Sequence, residues 1–163
     1  LGSGSWPSLH RRFERLVKPP PAGEGRASPE AAAPERREGR ITKQFSWQDF
    51  QGRDGSPVPD ECVDNVRALA QSLQKLGDHY RRQVKVLRGY DPPGRDRGAA
   101  SDVGTSLHGE GRAADIRVRG IRPREVYRTI EQLIAKKEMP EGGLGLASDH
   151  VHYDIRGRRA RWP

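Results

Sequence analysis

Histidine and aspartate side chains alternate with apolar or aromatic ones near the end of the chain. His150, His152 and Asp154 occupy every second position there. Because successive side chains of a β-strand point to opposite faces, a strand in this segment would place all three polar groups on one face. Imidazoles and carboxylates gathered on one face can bind a divalent metal ion or exchange protons with a substrate.

A second alternating segment, at residues 113–118, supplies another carboxylate. Its apolar residues share one face and leave Asp115 on the other. His108 precedes this segment across the turn Gly109-Glu110-Gly111, whose glycines allow the chain to fold back tightly. If the two strands are neighbours, Asp115 and His152 converge, and His108 folds over them.

Two imidazoles and one carboxylate form a ligand set that zinc accepts, with a fourth position left for water. That layout is typical of a catalytic zinc site rather than a structural one. His108, Asp115 and His152 are therefore candidate ligands for one zinc ion per chain. Asp154 would orient one of these ligands from behind. The alternative is a polar strand face that is simply solvated.

Composition limits the class of protein. The chain has 163 residues, enough for one domain with a core, but only 33% are apolar, so part of it is expected to stay outside that core. Its net charge of +8 favours nucleic acid, an anionic lipid surface or a bacterial wall, without choosing among them. The single cysteine, Cys62, excludes an intrachain disulfide and a thiolate zinc cluster, and its helical spacing with apolar residues predicts burial. No run of apolar residues predicts a membrane span.

The first 40 residues differ in composition from the rest. Residues 8–17 can form a short amphipathic helix, and residues 18–40 are rich in Pro, Ala, Gly, Glu and Arg, as in a linker. We predict an N-terminal extension at 1–40 and a compact domain at 41–163. A basic arm that binds the wall or a partner is the alternative role for the extension.

The compact domain shows the spacing of two helices and three strands. Phe45, Trp47 and Phe50 are expected to anchor its core. The predicted elements are a helix from Asp60 to Gly77, a strand at 84–87, a long loop at 88–105, a strand at 113–118, a helix opening at Pro123, a chain break at 142–145 and a last strand at 151–155. This order predicts an α+β domain with a small antiparallel sheet flanked by helices.

Two motifs resemble those of a known enzyme family. Residues 106–116 resemble the S-x-H-x-x-G-x-A-x-D signature of the zinc D,D- and L,D-peptidases, which include D-Ala-D-Ala carboxypeptidases and phage endolysins. The segment is also similar to the signalling domain of hedgehog proteins, which share that fold. Residues 142–145 and 149–152 resemble the second motif, and the closing Arg161-Trp162 is typical of the branch that includes the murein endopeptidase. The resemblance spans about 41–162.

The resemblance implies a role for each matching residue. His108, Asp115 and His152 correspond to the zinc ligands, and Asp149 to the acidic residue that takes a proton from water and delivers it to the leaving amine. His150 would bind the developing oxyanion, or is merely an exposed neighbour. Glu110 is a fallback base. The substrate-contacting positions correspond to Arg88, Tyr90 and Ser106.

One position departs from the family pattern. An S-G-Y-R segment, whose arginine contacts the substrate, is replaced by Arg88-Gly89-Tyr90-Asp91. Either Arg88, Arg95 or Arg97 substitutes for that arginine, or the substrate differs, or activity is lost.

The expected function is therefore that of a zinc metallopeptidase that hydrolyses a bond in the stem or cross-link peptides of bacterial peptidoglycan. The expected location is extracytoplasmic, in the periplasm, secreted or associated with the wall, and the expected state is a monomer without a membrane span. A hedgehog-like zinc-containing binding or signalling module without peptidase activity is the first alternative. Nucleic-acid binding, suggested by charge, is not expected because no reader motif is present.

Overall fold

The computed structural model describes residues 37–92 and 106–163. The helix predicted at 8–17, nearly all of the predicted linker, and Arg95 and Arg97 lie outside the described residues. The elements in chain order are two short 3-10 helices at Trp47–Phe50 and Asp60–Cys62, α1 (Val63–Tyr80), β1 (Val84–Arg88), β2 (Ala113–Val118), α2 (Pro123–Ala135), β3 (Gly143–Leu146), β4 (Val151–Asp154) and β5 (Ala160–Trp162). The predicted α+β class is confirmed.

The five strands form one sheet in the order β1-β2-β4-β3-β5. Three of its four pairings are antiparallel, as predicted, but β3 and β5 run parallel. The prediction of a wholly antiparallel sheet is therefore wrong at this edge. The chain leaves β4, turns back through Gly157 and returns alongside β3, so that β5 takes the direction of β3.

The core lies on one face of the sheet. Ile116 and Val118 of β2 and Val151 and Tyr153 of β4 are buried in a single cluster with the apolar faces of α1 and α2. The three aromatic residues predicted as core anchors belong to the same cluster. Burying each large apolar side chain contributes on the order of 2 kcal/mol. The opposite face is therefore left to the polar side chains of β2 and β4, as the alternation predicted.

Helix α1 begins and ends later than its sequence signals predicted. It begins at Val63 rather than Asp60, runs past Gly77 and ends at Tyr80, and the next residue, Arg81, has a φ of 50° in the left-handed region. A side chain at Gly77 would overlap the amide of Gln44, which accepts a hydrogen bond from the backbone of β1 at Val84. Gly77 is thus a point of close approach between the helix and the preceding segment rather than a helix end. The start of α2 at Pro123 is confirmed.

The glycine-rich segment at 142–145 was predicted as a chain break, and this is wrong because most of it forms β3. A side chain at Gly142 would overlap the carbonyl oxygen of Asp154, and one at Gly143 would overlap the Asp154 carboxylate. A side chain at Gly145 would overlap the indole of Trp162. Glycine is thus required at these three positions because Asp154 and Trp162 lie directly against them.

The Gly142→Ala substitution should lower the free energy of unfolding by about 3 kcal/mol, because the added methyl group meets backbone that cannot move away without breaking the sheet. Gly145→Ala is the matched control, since its methyl group meets only a side chain, and we expect it to cost about 1 kcal/mol. Urea denaturation of both variants measures the difference. Equal losses would contradict this explanation of the glycines.

Candidate metal centre

A row of directly paired residues crosses the whole sheet on its open face. Arg88 of β1 pairs with Asp115 of β2, which pairs with His152 of β4. His152 pairs in turn with Gly145 of β3, and Gly145 pairs with Trp162 of β5. Because paired residues on neighbouring strands point to the same side, the row is a continuous surface with Asp115 and His152 near its middle.

A tight turn brings His108 onto this row. The backbone nitrogens of Glu110, Gly111 and Arg112 donate to the carbonyl groups of residues 106–108, and Gly111 has a φ of 68° that favours glycine. The turn leaves His108 almost completely buried, with Nε2 lying 3.6 Å from Oδ1 of Asp115. The glycines of this turn therefore act as the sequence predicted.

His108, Asp115 and His152 form a group that could hold a metal ion. One potential ligand atom from each residue lies within 4.8 Å of the others. Nδ1 of His152 is 2.9 Å from Oδ1 of Asp115, and the two imidazole rings meet edge to face with their centroids 5.2 Å apart. Two nitrogens and one oxygen at such separations can converge on a single cation.

The outer nitrogen of each histidine is already held by an acceptor. His108 donates from Nδ1 to the carbonyl oxygen of Gly89 over 2.8 Å, and His152 donates from Nε2 to the carboxylate of Asp154 over 3.2 Å. Because these partners hold a proton on the outer nitrogen, a metal ion that displaced the inner proton, which otherwise bonds to Asp115, would meet a lone pair on the nitrogen that faces Asp115. The ring nitrogens that face Asp115 are therefore both correctly placed and chemically suited to bind a metal ion.

The electrostatics of the group also favour a cation. Burial would raise the pKa of Asp115, but hydrogen bonds with His108 and His152 outweigh burial and hold the pKa far below its usual range. Burial would lower the pKa of His152, but its hydrogen bonds to Asp115 and Asp154 raise the pKa instead. A positive charge on His152 is thus stabilised by the carboxylates of Asp115 and Asp154. A divalent cation bound here would be stabilised by negative charge in the same way.

Asp149 and His150 lie beside this group. The side chain of Asp149 is 56% exposed, and its Oδ1 lies 2.6 Å from Nδ1 of His150. Nε2 of His150 lies 4.0 Å from Oδ2 of Asp115. Asp149 is thus connected to the group through His150. The hydrogen bonds with His150 and then with Arg117 lower the pKa of the Asp149 carboxyl, so it is ionised at neutral pH.

Sequence reasoning missed Arg117, which holds Asp149 from the other side. Its guanidinium group pairs with the carboxylate of Asp149, and its Nε donates to the carbonyl oxygen of the same residue over 2.6 Å. The alternation that selected Asp115 could have found it, because Arg117 stands two positions further along β2 and therefore on the same face. No sequence pattern could have identified the carbonyl group of Gly89 as the acceptor that holds His108.

The residues predicted to contact substrate lie at different depths. Arg88 stands at the end of the paired row, with Nε and Nη2 lying 3.0 and 2.7 Å from the Asp91 carboxylate. Ser106 is half-buried where the His108 turn begins. The ring of Tyr90 belongs to the core cluster, and burial raises its pKa. Arg88 thus borders the open face, whereas Tyr90 packs in the core.

A cavity of about 390 Å³ lies beside Asp149. It combines basic residues of β1, β2 and the turn after β2 with an apolar wall that includes Ile116 and Val126. The basic residues are Lys85, Arg117 and Arg119. Among the residues that the structure describes, Asp149 supplies the one carboxylate that lines this cavity, so the cavity favours anionic or mixed apolar and anionic groups.

Comparison with known proteins adds no relative. No protein-family model matches the chain, and no curated protein matches its sequence. In the part of the chain that the structure describes, no helix is long and apolar enough to cross a membrane.

Removal of either histidine should abolish stoichiometric metal binding. The zinc content of the purified chain after gel filtration is expected to be one ion per chain, and His108→Ala and His152→Ala should each lose it because two donors do not hold the ion. His79→Ala is the matched control, since His79 is exposed on α1. Retention of zinc by both site variants would contradict the ligand assignment.

The substitution Asp154→Asn should weaken zinc binding about 10- to 100-fold, because the carboxylate that orients His152 loses its charge. Titration against a competing chelator measures the affinity, and circular dichroism establishes that the variant is folded. Asp78→Asn, a change of the same kind on the exposed side of α1, should leave zinc affinity as it is.

Proposed function

We propose that this protein is a zinc peptidase that hydrolyses a bond in the stem or cross-link peptides of bacterial peptidoglycan. The observation that carries the proposal is the pairing of a metal-binding group with an ionised acid beside it. His108, Asp115 and His152 supply the ligands, and Asp149 lies next to them through His150. A purely structural metal site does not need such an acid.

The choice of zinc rests on the donor set. Two imidazole nitrogens and one carboxylate oxygen suit zinc, and three protein ligands leave a position for water. When bound there, zinc would lower the pKa of that water and polarise the scissile carbonyl group. Asp154 and the carbonyl oxygen of Gly89 would keep the two imidazoles turned toward the metal.

Proton transfer is assigned to Asp149. Its carboxylate accepts a proton from the attacking water and returns it to the leaving amine, which needs a group that is ionised before the reaction and exposed to the substrate. Arg117 holds this carboxylate in place from one side and His150 from the other. We assign binding of the developing oxyanion to His150, because its Nε2 is the ring atom that faces the ligand group.

The wall substrate is supported by the motif resemblance and by charge. Peptidoglycan peptides carry carboxylates, and a chain of net charge +8 attracts them. The cavity beside Asp149, which basic residues line, would accept a carboxylate of the substrate peptide close to the scissile bond. An extracytoplasmic location follows from this substrate.

A second candidate is a zinc-containing binding module without peptidase activity. The contact between Arg88 and Asp91 favours it, because Asp91 neutralises the guanidinium group at the end of the paired row. An arginine held in this way attracts a substrate carboxylate less strongly. Such a module would bind wall peptides or a protein partner with its metal in place and release no product.

The zinc-loaded chain should release shortened peptides from purified muropeptides, as detected by mass spectrometry. Asp149→Asn should lower kcat by about 10² to 10⁴, because proton transfer is lost while the metal ligands remain. Glu110→Gln is the matched control, since Glu110 is paired with Arg112 on the turn and should not take part.

Measured zinc content separates the outcomes. Full zinc occupancy without any product from a set of D,D- and L,D-linked muropeptides would reject the peptidase and favour the binding module. Loss of activity in Glu110→Gln but not in Asp149→Asn would move the role of base to Glu110.

A further inference from the structure

Trp162 combines exposure with a fixed position beside the candidate metal centre. It is the large hydrophobic side chain that stays exposed among the described residues, with 37% of its surface accessible. Its ring centroid lies 5.2 Å from that of His152, with the two planes inclined by 47°. The indole therefore presents part of its apolar surface to solvent while it contacts a candidate metal ligand.

Several residues hold the indole where it is. Gly145 leaves room for it, because any side chain there would overlap the ring. The guanidinium carbon of Arg156 lies 5.4 Å from the ring centroid, and Arg156 itself is held by the buried carboxylate of Asp154 over 2.7 Å. The indole and the imidazole of His152 are thus positioned by the same carboxylate.

The strand that carries Trp162 is also anchored. Arg161 donates to Glu131 on α2 and to Glu141 before β3, each over 2.9 Å, and to the carbonyl oxygen of Gly142. These bonds join a strand of only three residues to both the helix layer and the sheet. A side chain on such a strand keeps its position when a ligand arrives, which is required of a contact that selects substrates.

The paired row indicates what the indole meets. Neighbouring strands lie about 4.8 Å apart, so Trp162 on β5 stands two strand spacings from His152 and leans over Gly145 toward it. A peptide that has its carbonyl group at the centre and crosses β3 would place its next residue against the ring. An indole offers a flat apolar surface that suits an aliphatic group.

We propose that Trp162 is a substrate-contacting residue that binds the aliphatic side chain of the residue next to the scissile bond. This assignment rests on the proposed peptidase function. It adds that the substrate residue bound by Trp162 lies on the β5 side of the candidate metal centre. Arg156 and Gly145 are positioning residues for the ring. The substrate class is thereby narrowed to peptides with an aliphatic residue on the β5 side of the bond.

The test compares the full zinc-loaded chain with Trp162→Ala and Trp162→Phe, using purified muropeptides as substrates. The alanine variant should raise KM about tenfold, the phenylalanine variant no more than about threefold, and kcat should change little in either. Zinc affinity, measured by chelator competition, should be the same in all three. Arg159→Ala, an exposed change at the neighbouring end of β5, is the control and should keep the original KM.

The remaining outcomes separate substrate contact by Trp162 from a role in covering His152. An unchanged KM in an active Trp162→Ala variant overturns the proposal, and so does a loss of zinc affinity at unchanged KM, since the ring would then only cover His152. If the original chain turns over nothing, the peptidase proposal fails, and muropeptide binding is measured by calorimetry instead. Binding lost in Trp162→Ala would then keep the contact within a binding module, whereas equal binding would overturn it.

Discussion

The buried carboxylate of Asp154 is the charge around which the open face of the sheet is arranged. It is completely inaccessible to solvent, yet it accepts hydrogen bonds from His152, Arg156 and the backbone nitrogen of Gly143. Burial alone would raise its pKa, but these bonds hold the pKa well below its usual range. A buried anion is tolerated only with such partners, so its neighbours are constrained together.

Those constraints connect parts of the site that are far apart in the chain. One oxygen of Asp154 sets the tautomer of His152 and, through Arg156, the place of the Trp162 ring. Its contact with Gly143 brings β3 so close that no side chain fits there. One carboxylate therefore helps to position the candidate ligand His152, the glycine residues of β3 and the ring of Trp162. His108 is held independently, by the carbonyl oxygen of Gly89.

The second half of the site depends on a weaker, exposed arrangement. Asp149 lies in solvent between His150 and Arg117, and its contacts are of the surface kind that contribute little to stability. His108 is buried and Asp115 and His152 are half-buried, whereas the side chain of Asp149 is largely accessible. This division is what a hydrolytic site needs, since the metal must stay in place while the acid meets the substrate.

Prediction from the sequence succeeded where a local rule applied. Alternation assigned the faces of β2 and β4, and the paired register of Asp115 and His152 confirmed that their side chains meet. Helical spacing located α2, and Pro123 marked its first turn. The rule failed at β3, because glycine disfavours strands by itself and becomes necessary only when another chain segment lies against it.

The sequence by itself determined the ligand types and the face that carries them, because strand periodicity is a property of the backbone. Only the tertiary structure decided which acceptors hold the outer nitrogens, that Arg88 is bound by Asp91, and that Trp162 returns to the side of His152. Each of these depends on a carbonyl group, a register or a close approach between distant segments. No local pattern encodes such contacts, since they exist only once the strands have paired.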